Sequence, residues 1–265
     1  MRTFLDSLSQ RLAAAFVRPE KRHPGRSCPC RCGRPVFFHN CLCLACQAQL
    51  GYVPATARVH ALEAAAQAGL WRLHDGAGEH RRCTNFDLAA GCNWLIPADD
   101  PQPLCRACRL NRTIPNLGDP EHGREDGELW QRLEAAKRRL VASLLALGLP
   151  VQSRETEDPG HGLAFDFLRS PKEGPRVLTG HADGLITINV EEADDAVREK
   201  IRVGLREPYR TLLGHFRHEV GHYYWDRLVA GTPWLEPYRG VFGDERADYA
   251  APLKRNYAQG PAPDW

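Results

Sequence analysis

The chain has 265 residues, of which 43% are apolar and 26% charged, and its formal net charge is +2. That profile suits a folded protein with room for two ordinary domains and excludes a low-complexity or disordered chain. No apolar run reaches the length of a membrane span, and a charge this small argues neither for nor against nucleic acid.

Residues 1–27 form an N-terminal tail. Met1 to Arg18 is predicted as a short amphipathic helix with Phe4, Leu5, Leu8, Leu12 and Phe16 on one side. Asp6, Gln10 and Arg11 interrupt the apolar core that a secretion signal requires, so the expected compartment is the cytoplasm. All ten cysteines follow, and none lies beyond Cys108. In a reducing compartment close cysteine pairs bind metal rather than form disulfides.

Residues 28–117 are therefore read as a zinc-ribbon region with two four-cysteine sites. In the later one, Cys83 and Cys92 face the pair Cys105-Arg-Ala-Cys108, a C-x-x-C knuckle that converges two thiolates on one tetrahedral zinc. The earlier group holds six cysteines where one zinc takes four. Cys43 and Cys46 form its knuckle, Cys30 and Cys32 are the preferred opposing pair, and Cys28 and Cys41 are left over. Without histidine both sites read as closed and structural. Arg31, Arg34, Arg81, Arg82, Arg106, Arg109 and Arg112 make this region locally basic. That leaves nucleic-acid contact open without favouring it, since no aromatic ladder accompanies them.

Residues 118–265 are the second expected domain. GDPEHGREDG from Gly118 reads as a linker, and Leu129, Leu133, Ala136, Leu140 and Leu144 recur at helical spacing. Strands are expected over Leu163–Leu168 and in GLITINV, Gly184 to Val190, which would be the edge of a sheet. Helices are expected over Glu191–Arg206, Tyr209–Val229 and Asp244–Tyr257.

Residues 217 to 226 read RHEVGHYYWD. On a helix His218 and His222 share a face and can bind one zinc, with Glu219 beside them as general base toward a zinc-activated water. A chance HExxH arises roughly 0.03 times in a chain of this composition. A catalytic zinc has three protein ligands and one open position. The residue six beyond His222 is Leu228, not histidine, so the third ligand is sought in GDERADY. There Asp244 is slightly preferred, Glu245 is close behind, and Asp248, on the same helix face as Asp244, is expected to hydrogen-bond and orient a liganding histidine. His215 could flank the site, Asp226, one turn past His222, could orient that histidine, and Tyr238 or Tyr249 could donate to an oxyanion. His161 and His181 receive no role.

The segments CGRPVFFHN, CNWL, CRACRLNRTIPNL, EPYRTLLGHFRHEVGHYYWDRL and FGDERADY together resemble the bacterial zinc-binding metallopeptidases that carry an N-terminal zinc-ribbon region. The resemblance spans Cys28 to the C-terminus. It implies an α+β chain, a cysteine-rich ribbon followed by a zincin-like domain, and a metallopeptidase activity; it supplies no substrate. The resulting expectation is a peptidase with three Zn2+, one catalytic and two structural, acting on a peptide or protein. The competing expectation is a zinc-ribbon protein that binds protein or nucleic acid, with an inactive zincin-like domain. Oligomeric state is not legible.

Overall fold

The structure is a computed structural model that describes residues 27–204, 207, 210–248 and 250–259. The amphipathic helix expected over Met1–Arg18 lies outside these residues. Strands β1 (Ser27–Pro29) and β2 (Pro35–Phe37) form a hairpin, pairing Cys28 with Val36. Its turn places Gly33 at a φ of +79°, a conformation that glycine adopts without steric cost. An antiparallel meander follows: β3 (Leu50–Val53), β4 (Arg58–Ala64), β5 (Leu70–Leu73), β6 (Glu79–Arg82) and β7 (Leu95–Pro97). The sheet curls until its ends meet, for Tyr52 N–H donates to Asn93 O at 2.9 Å. The fully buried Trp94 fills the inside, with the Tyr52 ring 4.9 Å and the Phe38 ring 6.4 Å away.

The chain then changes sheets. Strand β8 (Asn111–Thr113) runs parallel to β9 (Ala164–Leu168), which is parallel to β11 (Leu185–Asn189). Strand β10 (Gly180–Ala182) pairs antiparallel with β11 and is the outer strand. GLITINV is thus an inner strand, and the free edge expected of it belongs to the three residues before its turn.

Helix α1 (Gly123–Ala146) begins inside the expected linker. The Asp119 carboxylate accepts the N–H groups of Glu121 and His122 at 2.8 and 2.9 Å, which turns the chain into the helix. A Cβ on Gly123 would stand 2.5 Å from Leu117 O, so this glycine serves a close approach and not flexibility. Helices α2 (Asp195–Gly204), α3 (Leu212–Leu228), α4 (Leu235–Phe242) and α5 (Ala250–Gln259) complete the second half. Phe165 and Phe167, two apart on β9, turn both rings to one face. There they meet Phe216 of α3 at 5.8 and 6.4 Å and the Lys137 ammonium of α1 at 5.5 and 5.4 Å. One buried cluster runs from Val36 and Trp94 through Leu133 to Phe216 and Tyr224, so the two halves share a core.

The expected helix over Asp244–Tyr257 is absent as such. Gly243, at a φ of +88°, closes α4. Residues 244–248 are a turn, and Asp248 accepts Ala250 N–H at 2.9 Å at the start of α5. Asp244 and Asp248 therefore do not share a helix face. No helix among the described residues is long and apolar enough to cross a membrane.

Candidate functional site

Two cysteine groups converge as the spacing predicts. The sulfurs of Cys30, Cys32, Cys43 and Cys46 lie within 4.8 Å of one another, and so do those of Cys83, Cys92, Cys105 and Cys108. Sulfur pairs stand 3.7 and 3.8 Å apart in the first group and 3.6 Å in the second. A tetrahedral zinc with bonds of about 2.3 Å separates its sulfur ligands by about 3.8 Å, whereas a disulfide would bring them to about 2.0 Å. The donor set and spacing thus fit zinc. Backbone geometry prepares the first site: the Ala48 N–H beside Cys46 holds that thiol down at about 6, while burial pushes Cys30 up to about 12. In the second, Cys105 N–H donates to Cys83 Sγ at 3.3 Å. Cys28 is half-buried and Cys41 exposed, and both lie outside the four-sulfur group.

The arginines that make the ribbon basic are mostly engaged within the protein. Arg81 donates to Asp100 O and Gln102 O, and Arg82 lies over the Phe86 ring at 3.7 Å. Arg106 and Arg109 pair with Glu157 at 2.8 and 3.1 Å, and Arg112 pairs with Asp166. A guanidinium fixed on its own carboxylate is a poor phosphate ligand, which weakens the case for nucleic acid.

The third centre lies on α3. Thr211 caps the helix, its hydroxyl accepting Gly214 N–H at 3.0 Å. Phe216, Val220, Tyr223 and Tyr224 face the core. The Tyr223 and Tyr224 hydroxyls donate to His161 O and Pro150 O at 2.8 and 2.7 Å, so these rings anchor the helix. His218 and His222 are left exposed on the opposite face, their Nε2 atoms 3.2 Å apart, while Glu219 is buried at their side. Two imidazoles bound to one tetrahedral zinc at about 2.0–2.1 Å place their nitrogens about 3.3 Å apart, so the pair fits that ion.

Glu245 shares the wall of a cavity of about 700 Å³ with both imidazoles, and Trp225, Leu228 and Tyr238 also line it. Its carboxylate is held low by Arg239, which donates to it at 2.6 and 2.9 Å. Asp244 is likewise held low by Arg246, at 2.8 and 2.9 Å, and does not line that cavity. Among the described residues no third imidazole or carboxylate lies within 4.8 Å of both histidine nitrogens. Asp248 and Asp226 make no hydrogen bond to either histidine among the described residues, and Tyr249 lies outside them.

Sequence reasoning gave His181 no role and His215 only a flanking one. His181, on the edge strand, has its ring 6.2 Å from that of His222 and nearly parallel, with Nε2 accepting Gly184 N–H at 2.9 Å. His215, one turn before His218, places Nδ1 2.5 Å from Glu192. The stripe spacing of His215 was visible in the sequence, but nothing there could reveal its partner 23 residues away.

Residues 27–119 match a zinc-ribbon domain family. Residues 126–265 match the family described as putative zinc-binding metallo-peptidase. Relatives named only as uncharacterized proteins, from Mycobacterium bovis and Mycobacterium tuberculosis, are 42% identical over 239 residues. The alignment covers 90% of this chain and 64% of theirs, so the chain spans under two thirds of the length of these relatives. No solved structure matches. With two four-cysteine groups in its first half and an HExxH helix beside a sheet edge in its second, the chain belongs to this zinc-binding metallo-peptidase family.

Proposed function

We propose that the protein is a zinc-dependent peptidase whose reacting centre is the exposed stripe of His218, Glu219 and His222. The observation that carries this reading is the 3.2 Å approach of the two imidazole nitrogens beside a buried glutamate. His218 and His222 are two metal ligands in this reading. Glu245 takes precedence over Asp244 as the third, because it shares the cavity wall with both imidazoles. Bound there, zinc would supply Lewis acidity and lower the pKa of a coordinated water toward about 7.

The chain's own groups do the rest. Glu219 accepts the proton of the attacking water and delivers it to the leaving amine. Strand β10 offers an edge unpaired among the described residues, and since it packs on α3 an extended peptide added there would lie across the imidazoles. The neighbouring apolar wall of Trp225, Leu228 and Val229 suits a substrate side chain. The cysteine groups would hold two structural ions, for three zinc in all.

Elemental analysis tests the metal count. The wild type is expected to carry about three zinc ions per chain and the His218→Ala/His222→Ala double variant one fewer. Glu219→Gln should keep all three while cleavage of an unfolded protein falls about 10²–10⁴-fold. Equal zinc in wild type and double variant would defeat this reading.

A further inference from the structure

One stripe of α3 carries four chemistry-bearing side chains, because His215, His218, Glu219 and His222 are three or four residues apart. Three of them have roles in the proposed peptidase; His215 has none. Its Nδ1 lies 2.5 Å from one oxygen of Glu192. The other Glu192 oxygen accepts the Thr179 hydroxyl at 2.5 Å. The Thr179 oxygen in turn accepts Asn189 N–H at 3.1 Å, at the end of β11. Glu192 itself sits in the helical turn Val190–Ala193 that follows that strand. Burial alone would push the Glu192 carboxyl up, but the His215 and Thr179 donors outweigh it and hold it below the ordinary value.

The imidazole is thus fixed from outside its own helix. Its Nε2 has no hydrogen-bond partner among the described residues. The ring lines a cavity of about 660 Å³ together with Thr179, Glu192, His218 and Glu219. A carboxylate that holds one ring nitrogen sets the ring's orientation and frees the other nitrogen to act.

Resting on the peptidase reading, we infer that His215 is a further catalytic residue: as an imidazolium whose Nδ1–H is held by Glu192, it presents Nε2–H to the scissile carbonyl oxygen as that oxygen becomes negative. In the addition step the water oxygen bonds to the carbonyl carbon and the C=O π pair moves onto oxygen. The water proton passes to Glu219. The new oxyanion accepts the His215 N–H without removing its proton. When the oxyanion collapses, the C–N bond breaks, and the amine takes the proton from Glu219. Glu192 and Thr179 are positioning residues that act through His215.

The test compares full-length wild type, His215→Phe, His215→Gln and Glu192→Gln on casein, together with zinc content, melting temperature and affinity for a peptide phosphinate that mimics the tetrahedral state. His215→Phe should lower kcat about 10²–10³-fold, with KM and zinc content unchanged, and weaken phosphinate binding by a similar factor. His215→Gln carries an amide donor near the place of Nε2 and should retain part of both, which keeps the test valid if the phenylalanine variant fails to fold. Glu192→Gln should fall between them. Wild-type kcat and phosphinate affinity in the His215 variants, or loss of zinc from them, would overturn the role of His215 and leave the peptidase reading standing. A wild type that neither cleaves nor binds the phosphinate would remove the reading and this inference with it.

Discussion

Cys83, Cys92, Cys105 and Cys108 are each at most 1% exposed, whereas Cys32 of the earlier group is exposed and Cys46 half-buried. The donor chemistry is the same, and the surroundings differ. The later group backs directly onto α1: Cys108 Sγ stands 3.9 Å from Glu134, a carboxylate with no exposure. Glu134 is held by Lys137 at 2.6 Å and by Asn111 at 3.0 Å. Near the earlier group, α1 makes surface contacts: Arg139 donates to His39 at 3.0 Å and lies over the Phe38 ring at 6.0 Å. One cysteine site lies wholly inside the shared core, and the other sits at its margin, with Cys30 and Cys43 buried in it and Cys32 open to solvent. Identical ligands can therefore carry different shares of the fold.

Breaking the buried site should have the largest effect. Binding energy at a structural zinc is folding energy, about 10–16 kcal/mol in small zinc domains. Cys108→Ser is accordingly expected to abolish cooperative unfolding of the whole chain by circular dichroism. Cys32→Ser should leave the α1 and α3 amides protected from hydrogen exchange and loosen only residues near the first hairpin. Global unfolding in both variants would erase the distinction between the two sites.

Lys137→Met comes next. It leaves Glu134 buried without its closest cation, at a cost of about 3–5 kcal/mol in chemical denaturation. Adding Glu134→Gln should recover much of that loss.

A chelator titration separates the sites in time. In the His218→Ala/His222→Ala variant, which keeps the two cysteine sites alone, zinc released into a colorimetric dye should appear in two phases, the partly exposed cysteine group giving its ion up first. A single phase would mean that burial does not control access.

The smallest effect concerns pH. Burial, with Arg138 and Arg139 nearby, lowers His39 to about 4 against an ordinary value near 6.5. The unfolded chain therefore binds the proton more readily than the folded one. The contribution of neutral His39 is full above about 6.5 and declines as pH falls toward 4. His39→Gln should flatten the slope of melting temperature against pH in that window, relative to wild type.

The chemistry of the chain was more legible than its connections. C-x-x-C and HExxH are short-range patterns, so Cys43 with Cys46, Cys105 with Cys108, and His218 with His222 are placed by local geometry alone. Strand order is a long-range property, and GLITINV gave no sign that Gly180–Ala182 would cover its edge. The acidic run after Phe242 reads as helix by composition, yet the left-handed Gly243 and the Asp248 cap break it into a turn. Polar residues after Gly118 suggested a linker, because the contact that makes Gly123 necessary is with Leu117 backbone and invisible to composition.

Strand β8 belongs by sequence to the cysteine-rich half and by hydrogen bonding to the sheet beneath α3. A fragment that starts after Leu117 would lack this strand and leave the flank of β9 uncovered. The bared row of amides and carbonyls along β9 would form a short template for other chains. Expressed alone, the helical half should gather into oligomers through that flank, and a peptide spanning Leu110 to Ile114 supplied in trans should disperse them.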